Sequence, residues 1–260
     1  METTQISRRR RVAFRVCAIV FAVAVGLGFF GLPSLVTGWF EGGERVIHRV
    51  HDLGYGDWAG ILLTVPLVAL TRTPERRPAA VQQVVVAVAA YWLAILVAVD
   101  FEPIQLMFMA VFGAIAAVLV WLYPAPRAGL ASTGRPSFLL GLIAVVAAIP
   151  LVAYALEIAS FQRKGVSSDP HVMEHHWTTM AALALGILLV AGLASLRAPG
   201  WRVAGWSAGL AAGVLGLASI IFSGYAGSLG TGWGSVALGG GLAFIAATEW
   251  EARRTTVPAR

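Results

Sequence analysis

Apolar runs of about twenty residues, separated by short polar turns, repeat along the whole chain, and this pattern predicts helices. Eight are expected: 12–38, 58–71 with a backward extension, 79–99, 103–123, 138–160, 176–196, 202–223 and 233–250. The breaks carry turn chemistry: "TRTPERRP", "DFEP", "YPAPRAGLASTGRP", "RAPGW" and "GYAGSLGTGWG". At 1.5 Å of rise per residue, runs of about 20 residues match a hydrocarbon core of roughly 30 Å. The first run follows "SRRRR" as a signal peptide would. No small-residue cleavage site follows it, so it reads as a membrane anchor.

Composition turns these helices into membrane spans. Hydrophobic residues make up 58% of the chain and charged residues only 12%, too few to cover a soluble domain. The net charge of +6 would suit nucleic acid, but its distribution gives another account. Fifteen of the 19 basic residues fall on one side of the eight-helix layout: Arg8–Arg11, Arg15, Arg72, Arg76, Arg77, Arg127, Arg135, Arg197, Arg202, Arg253, Arg254 and Arg260. The positive-inside rule makes that side cytoplasmic, together with both termini. All five histidines and most acids fall on the other side. The expected fold is thus an all-α membrane protein with eight transmembrane helices, in the plasma membrane, with the lipid bilayer as partner and no nucleic acid. Its parts are a basic N-terminus (1–11), a first four-helix half (12–123), a cytoplasmic linker (124–137), a second half (138–250) and a tail (251–260). Cys17 is the only cysteine, so no intramolecular disulfide and no Cys-x-x-Cys site exists. Lys164, the only lysine, lies in a polar loop, which excludes a Schiff base buried in a helix bundle.

Two parallel four-helix halves are suggested by internal similarity. "GILLTVPLVALTRTP" begins at Gly60 and "GILLVAGLASLRAP" at Gly186; each follows a group of histidines and ends in an Arg/Pro turn. With these stretches aligned, His51 falls opposite Trp177, one position past His176. Gly205, Gly209 and Gly213, at four-residue spacing, predict close helix packing. They also offer helices seven and eight as a surface for homo- or hetero-oligomers.

The candidate chemistry lies in two knots, "VIHRVHD" and "DPHVMEHHW". On a helix, His48, His51 and Asp52 share one face, with Val46, Val50 and Leu53 opposite, which suits an amphipathic helix lying at the outer interface or extending helix two. His171 and His175 are also four apart, with Glu174 and His176 adjacent. Imidazoles at this spacing grip Zn or Cu, and nearby carboxylates complete the shell or orient a ring. Glu157, near the outer end of helix five, either faces the same pocket or reaches the surface. The candidate metal ligands are therefore His48, His51, Asp52, His171, His175, His176, Glu157 and Glu174. Knots more than about 15 Å apart could not share an ion, since metal–nitrogen bonds are about 2 Å long. Asp100 and Glu102 read as turn residues. The alternatives are a non-catalytic scaffold or complex subunit, or a permease, although the spans hold few polar residues for a polar solute.

"ERVIHR" and "MEHHWTTMAALALG" resemble the helix-two and helix-six elements of heme A synthases, which are built as two four-helix halves. The resemblance implies heme between the helices, bound by His48 or His51 and His175 or His176. The family's histidines of helices four and eight have no counterpart in this chain, and Trp177 stands where an arginine is expected.

Overall fold

The computed structural model describes residues 2–29, 31–125, 130–131 and 133–256, of which the side chains of residues 2–7, 44 and 255–256 are not described. Arg127, Arg260, part of the 124–137 linker and the end of the 251–260 tail lie outside the described residues.

The chain is all-helical. The first span, Arg8–Thr37, runs through α1 (Glu2–Val23), a π-helical stretch (Ala24–Gly28) and α2 (Gly31–Thr37). The second, Arg45–Leu70, is the backward extension expected from the sequence. It joins a 3-10 segment (Gly43–His48), α3 (Arg49–Gly56), a π-helical segment (Asp57–Thr64) and α4 (Val65–Leu70). There follow α5 (Pro78–Ala98), α6 (Pro103–Leu122) and α7 (Phe138–Lys164). A four-residue α8 (Pro170–Met173) precedes α9 (His176–Ser195), α10 (Arg202–Ile221) and α11 (Gly230–Thr256). Prolines open α5, α6 and α8, where the missing N–H removes no helical bond.

Seven of these helical stretches are long and apolar enough to cross a membrane. The seventh ends at Ile221; α11, expected as the eighth, is 27 residues long. Its six glycines and its Glu249, Glu251, Arg253 and Arg254 hold its hydropathy down.

The spans differ sharply in how far they are buried. Arg45–Leu70 is 78% buried and His176–Ser195 67%, against 22–29% for Phe138–Lys164, Pro103–Leu122 and Arg8–Thr37. The two innermost helices are those whose ends carry the histidines. Small residues bring them together: a Cβ at Gly54 would stand 2.1 Å from Met180 Sδ, and one at Gly186 2.7 Å from Leu62 Cδ1. Trp58 fills the space below, stacked on Tyr91 and edge-on to Phe112. Trp92, which has no evident role in the sequence, packs over Gly113 and donates to the Met109 carbonyl at 3.1 Å.

The glycine stripe is spent within the chain. Gly205 faces Thr248, Gly209 faces Gly241 and Ile245, and Gly216 meets the Leu238 backbone, where a Cβ would stand 2.4 Å from the Leu238 nitrogen. Gly205 and Gly209 thus bring α10 and α11 into close contact, as their spacing predicts.

Candidate functional site

The second span reaches the site with a 3-10 segment, so His48 and His51 are carried on a winding backbone rather than one regular helix. Of the two expected placements, the segment takes the second and extends the second span. His48 and His51 are as buried as Val50 and Leu53 on the other side, because the segment is packed against the start of α9 and the α2 end instead of lying flat at an interface.

The second knot is broken where the sequence suggests a continuous helix. Asp169 caps α8 by accepting from the His171 backbone N–H at 3.0 Å. His175 then takes a left-handed conformation, with φ of 56°, and α9 begins at His176. His171 and His175 therefore do not share a helical face. His175 turns away to Asp100, its Nδ1 lying 2.9 and 3.0 Å from the two carboxylate oxygens. His176 takes the inward place.

The two knots meet. His48 Nδ1 and His176 Nδ1 lie 3.0 Å apart, and both rings are buried. His171 lies against His48 and His51, with ring centroids 4.8 and 4.7 Å away. His51 stacks on His176 at 5.1 Å with 9° between the planes, and Trp177 stands edge-on to His51 at 4.7 Å. Carboxylates surround this group. His171 Nδ1 bonds Asp169 at 3.0 Å; His176 Nε2 is 3.3 Å from Glu174 and 4.0 Å from Asp52. One donor atom each from His48, His176 and Glu174 falls within a 4.8 Å span, compact enough to close on one metal ion.

His51 is the most enclosed of the rings, at 1% exposure, and neither of its nitrogens has a hydrogen-bond partner. Gly227, in the loop between α10 and α11, lies over it: a Cβ there would stand 2.8 Å from the imidazole Cε1. The Tyr154 hydroxyl fixes that loop by donating to the Gly227 carbonyl at 2.6 Å.

Two of the eight candidate ligands fall outside the group. Glu157 is exposed, on α7, the least buried of the spans. His175 is committed to Asp100. Asp100 in turn is more than a turn residue: it is 4% exposed and also accepts from Thr178 Oγ1 at 2.6 Å and Gln105 Nε2 at 3.0 Å. Tyr91 donates to the Gln105 side-chain oxygen, so the network reaches α5. Burial pushes the Asp100 carboxyl up, but the bonds from His175, Thr178 and Gln105 outweigh it and hold the group below its ordinary range. A second residue absent from the sequence reading of the site is Asp57, fully buried in the π-helical segment with neither carboxylate oxygen bonded. Its local signal, one acid after "GYG", resembles that of any turn.

At the rim, Arg45 bridges Asp52 at 2.9 Å and Glu41 at 3.7 Å. Burial, and then the neighbouring Asp52 carboxylate, push Glu41 up to about 7 against the pull of Arg45. A folded pKa above the unfolded value favours the protonated form. Its contribution to stability is therefore full below about 4.5 and lost as pH rises through about 7. The metal-free protein is expected to lose about 1–2 kcal/mol across that window, allowing for solvent near the carboxyl, and Glu41→Gln to flatten the loss. Thermal unfolding in detergent at a series of pH values reads this directly; equal slopes for the two proteins would refute it.

Comparison with known proteins gives no lead: no family model, no curated protein and no solved structure matches the chain.

Proposed function

We propose that the chain is a multi-pass plasma-membrane protein that binds one transition-metal ion at the extracytoplasmic end of its two innermost spans. In this reading α11 is the eighth span, the helices form two four-helix halves and both termini are cytoplasmic. The arginine-rich turns at the opposite end support that orientation.

The convergence of His48, His176 and Glu174 donor atoms within 4.8 Å carries the proposal. Those residues come from segments 128 positions apart, and local sequence gives no reason for solvated polar residues to meet so closely. An ion is favoured over the heme implied by the resemblance to heme A synthases. The four rings pack tilted, edge to face or stacked at 4.7–5.1 Å with no slot for a macrocycle, and His175 is held by Asp100.

Elemental analysis of the detergent-purified full chain tests the proposal. About one equivalent of Zn or Cu per chain is expected, falling to background in His48→Ala and His176→Ala. A protein that holds no metal after dialysis against either ion, with the same melting curve as its all-histidine variant, would leave the scaffold reading in its place.

A further inference from the structure

The compact trio joins two kinds of donor. His48 and His176 are buried rings on the two innermost spans, at 5% and 8% exposure. Glu174 follows the short α8 and keeps 46% of its side chain exposed. Two donors on one tetrahedral ion, with bonds of about 2.0–2.1 Å, stand roughly 3.3 Å apart. The Glu174 carboxylate lies 3.3 Å from His176 Nε2. An ion drawn into the trio therefore has rings on its inner side and the carboxylate on the side toward solvent.

The other donors at this end are engaged elsewhere. His171 Nδ1 bonds Asp169 at 3.0 Å, and its Nε2 lies 3.4 Å from the Ile47 carbonyl. The edge of His51 that carries both nitrogens faces Gly227, where a Cβ would stand 3.3 Å from Nε2 and 3.4 Å from Nδ1. Asp52 gives one oxygen to Arg45 at 2.9 Å, and its other oxygen stays 4.0 Å from His176 Nε2. Glu41 pairs with Arg45, and His175 with Asp100. Among the described residues, three donors and no fourth come within reach of one ion.

Three protein donors do not complete a shell. Structural zinc sites have four, whereas sites with two imidazoles and one carboxylate keep the last position for water or substrate. Resting on the metal-binding reading, we infer that the ion keeps a coordination position open on its Glu174 side, where it takes a small oxygen or nitrogen donor from the extracytoplasmic solution. Water is the resident occupant, and azide, a carboxylate or an imidazole displaces it. Zinc suits such a shell.

The test uses the full chain in detergent, stripped with a chelator and given one equivalent of cobalt(II) chloride, whose visible bands follow its coordination geometry. Imidazole or azide is then added, and dialysis checks that the cobalt stays bound. Either addition is expected to shift the bands of the wild type. His171→Gln and Asp169→Asn are expected to keep both the wild-type spectrum and the shift. Glu174→Gln is expected to lose more cobalt affinity than the roughly 10–100-fold that removing an outer-shell partner costs. Bands that ignore both additions, that move only because cobalt is drawn off the protein, or that change in His171→Gln overturn the open position and leave the metal-binding reading standing. Unchanged affinity in Glu174→Gln does the same. Cobalt left free in solution overturns the three-donor site, and the elemental analysis then decides the metal-binding reading by itself.

Discussion

Asp100→Ala is expected to lower the unfolding free energy in detergent by about 3–5 kcal/mol, because it strips a buried acceptor from several donors at once. Thr178 and Gln105 are fully enclosed and would have no water to turn to; His175, more exposed, loses less. The substitution also frees His175 from the contact that accompanies its left-handed backbone, at the residue between Glu174 and His176. Metal affinity should therefore fall with stability. Asp100→Asn, which keeps one acceptor oxygen, is expected to cost roughly half as much. Because the Asp100 carboxyl is held below its ordinary range, its contribution is present at neutral pH and is lost only as pH falls through that lowered value. This is the opposite sense to Glu41. Chemical unfolding of both variants in the same micelle is the measurement, and a wild-type midpoint for Asp100→Ala would show that the network carries no structural load.

Gly227→Val is the second substitution with a large expected effect. The backbone at Gly227 has φ of 78°, a region that β-branched residues avoid, and its Cβ would press on the His51 ring at 2.8 Å. Backbone strain of about 1–3 kcal/mol adds to an overpacking cost of similar size. The ring is boxed in by His176, His171 and Trp177 and has nowhere to move, so the loop must lift instead. That would pull the Gly227 carbonyl from the Tyr154 hydroxyl. Tyr154→Phe is the control: it loosens the loop without crowding the ring, and is expected to cost about 1 kcal/mol. If Gly227→Val melts no lower than Tyr154→Phe, the close approach to His51 carries no weight.

The apolar helical class and seven of the span positions are legible in the sequence because they are properties of single segments. Hydropathy, turn residues and arginine counts each act locally. Which histidine faces inward is not legible, because it depends on one backbone residue. His175 leaves the helical region, and that step turns His175 toward Asp100 and His176 toward His48. A helical wheel drawn through "DPHVMEHHW" gives a different set of partners. Asp100 is missed for a related reason: its partners lie 75 and 78 residues away and no short-range pattern reveals them. Glu157 shows the limit from the other side. An acid near the end of an apolar helix has two places to go, and the phase of α7, the least buried span, sends it outward.

The loop that lies over His51 follows it by 176 residues along the chain, counted from His51 to Gly227. During synthesis the early spans enter the bilayer while α10 and α11 are still unmade, and through that interval the His51 ring lacks its cover. The pocket acquires its last wall only when the final hairpin docks. Closure of the site is thus coupled to the arrival of α10 and α11, and a variant lacking both would keep all five histidines without the loop that covers His51.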